Sequence, residues 1–154
     1  MIVANTTYQA APWADALFAM DRGWWQVWGD DVAEQFAGLR FSTNLIDRRY
    51  GVQRLTAPFD GYGNSGAACV ALALESGARR VILLGFDCQA TGGKKHWHGD
   101  HPRELGNANA MPKWMAKFDK LARDKSGHEI INCSRETALT CWPRMPLAEA
   151  LALS

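Results

Sequence analysis

Short apolar runs that end in a small or polar residue recur along this chain, and they alternate with longer segments that have helical spacing. Such runs predict buried strands, whereas the longer segments predict helices. Strands separated by helices favour a mostly parallel sheet with right-handed crossovers. The pattern therefore predicts an α/β fold in which helices flank the sheet, with strands at residues 2–4, 16–20, 40–43, 52–56, 81–84 and 129–133.

The middle of the chain carries the strongest of these patterns. Ser65 is a favourable N-cap, and the residues 67–74 that follow are small and apolar on every side, which predicts a helix buried all round. Gly77 is expected to end that helix. Residues 81–84 then form a continuous apolar run that leads to Asp87, the pattern of a central parallel strand covered on both faces.

Other helices are predicted from periodicity and capping. From Met111, apolar residues repeat at helical spacing beside a charged face, which predicts an amphipathic surface helix that ends before Gly127. Two further helices are expected: a short one capped by Asp30 or Asp31 and ending at Gly38, and a closing one at residues 147–153.

Composition narrows the class of protein. The chain has 154 residues, of which 47% are hydrophobic and 21% charged, so we expect one folded domain over residues 1–154. A net charge of +1 gives no support to nucleic-acid binding or to an anionic membrane surface. No apolar run reaches the length of a membrane span, and the first residues lack a signal-peptide pattern, so a cytoplasmic location is expected.

Cysteines and tryptophans add two smaller expectations. The four cysteines are scattered without a Cys-x-x-Cys pair, which favours reduced thiols in a cytosolic protein. Trp24, Trp25 and Trp28 form a cluster that fits either a core or a stacking surface, and the core is favoured because large aromatics dominate protein cores.

Polar residues follow several of the predicted strands. Parallel strands bring their carboxyl ends to one edge of a sheet, where open α/β sheets place their ligands. A helix that begins near Ser65 also offers backbone amides suited to a phosphate group. A capped core helix followed by a core strand explains the same stretch without a ligand. If a ligand binds, the candidate contacts are Asn5, Asp21, Asn64, Ser65, Gly66, Asp87, Asn132 and Ser134.

A histidine-rich loop lies between the strand at 81–84 and the helix at Met111. His96, His98, Asp100 and His101 spell His-x-His-x-Asp-His. One of these histidines could act as a general base, because the imidazole pKa lies near neutrality. Alternatively the four side chains could bind zinc, manganese or iron, or the loop could be purely structural.

These segments together resemble, over nearly the whole chain and in the same order, a family of small bacteriophage proteins. That family is similar in turn to the bacterial lipooligosaccharide sialyltransferases and related Rossmann-like glycosyltransferases, which share a Ser-Gly helix start, a Gly-x-Asp strand end and a later histidine loop. The matching pieces here are Ile2-Val3-Ala4-Asn5, Pro12-Trp13-Ala14-Asp15, Asp21, Trp24-Trp25, Ser65-Gly66, Leu83-Leu84-Gly85-Phe86-Asp87, His96 to His101 and Asn132-Cys133-Ser134.

The resemblance implies a Rossmann-like fold and a set of roles. Asn5 and Ser65 match nucleotide contacts, and Asp21 stands where the enzymes have an asparagine. His101, or less closely His98, matches the base that removes a proton from the acceptor hydroxyl. The donor would be a nucleotide sugar, such as one linked to cytidine monophosphate, and neither a metal nor another cofactor would be needed.

Two departures keep other functions open. The chain starts at what matches the enzymes' second strand, without their first strand and Gly-rich turn, and Cys88-Gln89 stand where the enzymes have tyrosines for the phosphate. We therefore expect a sialyltransferase-like glycosyltransferase or a nucleotide-sugar-binding phage protein in the cytoplasm of a bacterial host. The alternatives are a non-catalytic nucleotide-binding or host-interaction module, a homo-oligomer that completes its pocket with a neighbouring subunit, and a metal-dependent hydrolase built on the histidine loop.

Overall fold

A computed structural model describes residues 1–93, Pro102, Leu105 and residues 111–153 of the chain. The described strands are β1 (Ile2–Ala4), β2 (Ala16–Phe18), β3 (Leu39–Ser42), β4 (Gln53–Arg54), β5 (Arg80–Leu83) and β6 (Glu129–Asn132). The described α-helices are α1 (Arg22–Gln35), α2 (Ser65–Glu75), α3 (Met111–Asp124) and α4 (Leu147–Ala152). Short 3-10 helices cover Asn5–Gln9, Arg48–Tyr50 and Phe59–Tyr62.

Every pairing between these strands is parallel, as the sequence predicts. β1, β2, β3 and β4 form one sheet in that order, with Ile2 opposite Ala16 and Ala16 opposite Leu39. β5 and β6 form a second sheet, with Arg80 opposite Glu129. The α/β class is therefore confirmed, although the described strands lie in two sheets where the sequence suggests one.

Two compact units divide the chain. The first contains residues 1–72 with Pro102 and Leu105, and the second contains the described residues from Ala73 onward apart from those two. The boundary falls inside α2, so this helix contributes residues to both units.

The first unit has three layers. The centre is β2, whose three residues are all buried. Leu17 packs into a cluster with Trp24 and Trp25 of α1, whereas Phe18 packs on the other face with Ala68 of α2. Each side of the sheet is therefore covered by one helix, and the tryptophan cluster is confirmed as core because Trp24 and Trp25 are buried and Trp28 packs against them.

Helix α1 corrects the expected short helix capped by Asp30 or Asp31, since both residues lie inside α1. The buried positions Trp25, Gly29 and Val32 do follow helical spacing. Gly29 conceals that spacing in the sequence because it has no apolar side chain. It is glycine for a structural reason, since an added Cβ would lie 2.5 Å from the ring of Tyr50.

Helix α2 matches its prediction apart from the cap. None of its residues from Ser65 to Leu74 is exposed, so burial all round is confirmed. The helix stops as expected before Gly77, which has φ +89° and donates its amide to the carbonyl of Leu74 at 2.9 Å. The cap is Asn64 and not Ser65, because Asn64 Oδ1 accepts from the amide of Ala67 at 3.0 Å.

Strand β5 is a second correction. The sequence predicts a central strand covered on both faces, but among the described residues β5 pairs with β6 alone. Val81 and Ile82 are only partly buried, and Leu84 just beyond the strand is 54% exposed. A continuous apolar run fits a half-covered strand as well as a fully covered one, which is why the pattern misleads here.

The remaining elements of the second unit follow the sequence closely. Helix α3 begins at Met111 as predicted and buries Phe118 and Leu121. The ring of Phe118 contacts those of Phe86 and Trp142 edge to face, each at a centroid distance of 5.8 Å. No helix among the described residues has both the length and the apolarity needed to cross a membrane.

Candidate functional site

The carboxyl end of β2 is a junction between strands and helix starts in the first unit. The backbone amide of Met20 donates to Ser65 Oγ at 3.0 Å. Its carbonyl accepts from Ser42 Oγ at 3.1 Å and from Asn44 Nδ2 at 2.8 Å. Because α1 begins two residues after Met20, the amino ends of α1 and α2 meet at the backbone of this residue. Both helix dipoles therefore favour negative charge at this edge of the sheet.

The amino end of α2 is already capped in part by the protein itself. Asn64 satisfies the amide of Ala67 with its side chain and that of Ala68 with its carbonyl, the latter at 3.0 Å. The Ser65 side chain is occupied as an acceptor, and the residue is only 7% exposed. The amides of Ser65 and Gly66 have no partner within a helix that starts here. Backbone amides are thus what this helix can offer to a phosphate oxygen.

Asn5 follows β1 directly and combines two unfavourable features. Its backbone is left-handed, with φ +49°, which is uncommon for a residue other than glycine. Its side-chain oxygen Oδ1 is buried and has no hydrogen-bond partner among the described residues. A buried acceptor without a partner costs about 1–3 kcal/mol. A hydroxyl or amino group of a ligand would supply the missing donor.

Asn5 lies beside the start of α1. The next residue, Thr6, is buried, and its Oγ1 accepts from Trp24 Nε1 at 3.3 Å. Asp21 occupies the N-cap position of α1 but makes no capping hydrogen bond with its side chain, which is exposed. The buried acceptor of Asn5 and the exposed carboxylate of Asp21 therefore both lie near the amino end of α1.

The predicted contacts of the second unit are used differently. Asn132 is fully buried, with Nδ2 donating to Thr137 Oγ1 at 3.1 Å and Oδ1 accepting from the amide of Ser134 at 3.0 Å. Ser134 Oγ accepts from the amide of Phe86 at 2.8 Å. Ser134 therefore joins the loop after β6 to the loop after β5, whereas Asn132 fixes the loop after β6 internally. The ligand-binding role of both residues stays a prediction.

Asp87 is more accessible than Asn132 and Ser134. Its Oδ2 accepts from Thr91 Oγ1 at 3.1 Å, and the residue is partly exposed. The structure thus brings the predicted contacts together in two sets, each at the carboxyl end of the strands in its own unit. The first set is Asn5, Asp21, Asn64, Ser65 and Gly66, and the second is Asp87, Asn132 and Ser134.

The predicted catalytic and metal-binding residues His96, His98, Asp100 and His101 lie outside the described residues. Their roles as base or metal ligands stay predictions. Within the described residues, no group of three or more histidine, cysteine, aspartate or glutamate side chains is placed to hold a metal ion.

Sequence reasoning missed Ser42 and Asn44, which fix the carbonyl of Met20. The signal was available, because Ser42, Thr43 and Asn44 form a polar run at the end of the predicted third strand. The same rule that selected Asn5 after β1 would have selected them.

The thiol in the first unit offers no reactive group. Burial raises the pKa of Cys69 to about 12, so this thiol remains protonated at neutral pH.

Comparisons of the chain with protein-family models, with curated proteins and with solved structures find no match.

Proposed function

We propose that this protein binds a nucleotide or nucleotide sugar at the carboxyl end of β1 and β2 in its first unit. The observation that carries the proposal is the buried, unpartnered Oδ1 of Asn5 in left-handed backbone. Strained residues and unsatisfied buried groups persist where function needs them. A ribose hydroxyl or a base amino group would donate to this oxygen.

The surroundings of Asn5 support the same class of ligand. Asp21 adds an exposed carboxylate that can accept from a second hydroxyl. The amino ends of α1 and α2, held together through Met20 and Ser65, favour the negative charge of a phosphate. Acceptors for hydroxyls beside amides for a phosphate match the two parts of a nucleotide.

Glycosyl transfer is the reaction that we propose for the bound nucleotide sugar, on the resemblance to sialyltransferases. His101, or alternatively His98, takes a proton from the acceptor hydroxyl, whose oxygen then attacks the anomeric carbon. The bond to the nucleotide phosphate breaks in line with this attack, and the phosphate leaves toward the helix amides. Non-catalytic binding is the competing function, because it needs the same site without the histidine.

Titration calorimetry with cytidine and uridine monophosphates and their sugar conjugates tests the binding step. The native chain should bind at least one of them, and Asn5→Gly should weaken this binding at least tenfold because the acceptor is lost. Glycine tolerates the left-handed backbone, so the variant keeps the local conformation. Gln53→Ala, at an exposed position on β4, is the matched control and should bind as the native chain does.

Turnover separates the two functions. A glycosyltransferase should release the nucleotide from its sugar conjugate in the presence of an acceptor, and His101→Ala should abolish this release while binding persists. Binding without release by both proteins would identify a non-catalytic module. Failure of the native chain to bind any of these nucleotides would refute the proposal as a whole.

A further inference from the structure

Two cysteines of the second unit stand on loops that run side by side. Cys88 follows β5, and Cys141 follows β6. The amide of Ala138 donates to the carbonyl of Asp87 at 2.8 Å, so the backbones of the two loops are hydrogen-bonded to each other close to both cysteines. Neither cysteine is fully buried, and both are free thiols in the structure.

Aromatic packing fixes the same two loops a second time. Phe86 lies two residues before Cys88, and Trp142 directly follows Cys141. Both rings contact the single ring of Phe118 in α3 edge to face. The loops that carry the two cysteines are therefore both packed against the same side chain, Phe118.

The local environment of the thiols is consistent with this proximity. Cys88 has left-handed backbone, with φ +49°, a conformation that surrounding structure must hold in place. Burial, with a smaller contribution from the nearby Cys141, raises the pKa of Cys88 to about 11. Burial also raises the pKa of Cys141 to about 11. The carboxylates that act on the pair are Asp87 at Cys88 and Asp119 at Cys141.

We propose that Cys88 and Cys141 form a reversible intramolecular disulfide, which joins the loops after β5 and β6 when the protein meets a small-molecule disulfide such as oxidised glutathione. The two thiols lose two protons and two electrons as the S–S bond forms. The S–S bond of the small-molecule disulfide breaks, and its two sulfur atoms take up the two protons and two electrons, which yields two molecules of its thiol. This modification goes beyond the proposed function and does not depend on it.

The high thiol pKa values determine how such a bridge would behave. At pH 7 the thiolate fraction of Cys88 is about a hundredfold lower than for a cysteine with the ordinary pKa of 9.0, so formation is slow and speeds up about tenfold per pH unit. When a reductant attacks the bridge, one of the two cysteines must leave as a thiolate, and a thiolate of high pKa is a poor leaving group. Neither thiolate is stabilised in the reduced protein, so the reduced form gains no such advantage. The bridge should therefore be slow to form and slow to be reduced.

Alkylation of the full native chain tests the proposal. The reduced protein is incubated with oxidised glutathione at mildly alkaline pH, its remaining thiols are alkylated after it is unfolded in denaturant, so that the buried Cys69 also reacts, and its peptides are mapped by mass spectrometry. Alkylatable thiols should fall from four to two, with a linked peptide that joins Cys88 to Cys141 and that a dithiol reductant separates. Cys133→Ser is the matched control, since it removes a partly exposed thiol in the same unit and should keep the bridge.

Removing either partner should abolish the linked peptide. Cys141→Ser should leave Cys88 as a mixed disulfide with one glutathione, and Cys88→Ser should do the same for Cys141. Should one of these variants fail to fold, the other and the native chain suffice. Linkage of Cys88 to Cys133 or to a second chain would overturn the proposal, as would four alkylatable thiols in the oxidised native protein.

Discussion

Truncating either of two polar residues at the same sheet edge should change the free energy of unfolding, but in opposite directions. Ser42 is fully buried, and its hydroxyl donates to the carbonyl of Met20. Asn5 Oδ1 is buried with no partner among the described residues, so its removal loses no hydrogen bond. Ser42 therefore stabilises the junction, whereas the unpartnered oxygen of Asn5 lowers the stability of the folded protein.

We therefore expect Asn5→Gly to leave the free energy of unfolding unchanged or to raise it by about 1 kcal/mol, because glycine also relieves the left-handed backbone. Ser42→Ala should lower it by about 1–3 kcal/mol, since the amide of Asn44 loses its acceptor and the carbonyl of Met20 keeps only the Asn44 side chain as a donor. Urea denaturation of both variants measures the difference. A large loss of stability in Asn5→Gly would mean that Asn5 is structural.

Gly38 gives a prediction about close packing. A Cβ at this position would lie 2.6 Å from the carbonyl oxygen of Ala14 and 2.7 Å from that of Asp15. These are backbone atoms next to β2 and cannot rotate away, so Gly38→Ala should cost about 1–3 kcal/mol. Gly61→Ala is the control, because nothing lies within 4 Å of the position that its Cβ would take, and chemical denaturation should show little change for it.

At the scale of elements, the two ends of α2 are held by different means. Asn64 caps the amino end, and Ser65 joins it to the amide of Met20. At the other end, Glu75 Oε1 accepts from Lys125 Nζ at 2.5 Å, just beyond α3. Each device can be removed separately.

Asn64→Ala should lower the free energy of unfolding by about 1 kcal/mol, the usual cost of losing an N-cap side chain. Asn64→Ser should restore most of this stability, because serine caps helices nearly as well. Thermal denaturation of the two variants compares them directly. Equal losses in both would show that Asn64 does not act as the cap.

The ion pair of Glu75 predicts a pH dependence. Its hydrogen bond to Lys125 and the charge of that lysine lower the pKa of Glu75 below the ordinary 4.5. A lowered pKa in the folded state stabilises the protein above the unfolded value, and this contribution disappears as the pH falls through the lower, folded value. Glu75→Gln should therefore reduce stability at pH 7 and flatten its loss below pH 4.5, whereas Glu149→Gln, the surface control on α4, should not.

The sequence anticipated elements whose side chains repeat the pattern without interruption. Helix α3 was predicted from Met111 onward because Phe118 and Leu121 mark one face, and α2 because its residues are uniformly small and apolar. Helix α1 was misplaced because Gly29 interrupts its apolar face, and only the ring of Tyr50, distant in sequence, explains that glycine. Periodicity reports local spacing, and it is silent about contacts made by residues far along the chain.

Local sequence patterns were likewise insufficient to describe the contacts in the candidate site. The strand-end rule selected Asn5 and Asp21 correctly as neighbours of helix starts, because parallel topology alone sets that position. It could not tell that the side chains of Asn132 and Ser134 bond to Thr137 and Phe86, since those contacts depend on loop conformation.

For the molecule as a whole, the decisive feature is that both compact units share α2. Residues up to Leu72 count with the first unit, and those from Ala73 count with the second. A helix forms cooperatively, so neither unit can lose its part of α2 without weakening the rest of that helix. We expect the two units to unfold in one transition.

Denaturation followed by two probes checks this expectation. Hydrogen exchange at the amides of Leu17 and Phe18 reports on the first unit, and exchange at Ile130 and Ile131 reports on the second. Gly38→Ala, which strains the first unit alone, should shift both transitions by the same amount. Separate midpoints would show that the units unfold independently.

Trp25 gives the protein an optical signal of its own. Its indole nitrogen donates to the carbonyl of Ala19 at 2.8 Å, which lies in the same peptide group as the Met20 amide that donates to Ser65. Indole emission depends on such polar contacts, so a ligand that shifts this peptide should change the colour or intensity of the light that Trp25 emits. Occupancy could then be followed in the unlabelled protein, with Trp25→Phe to identify the source of the change.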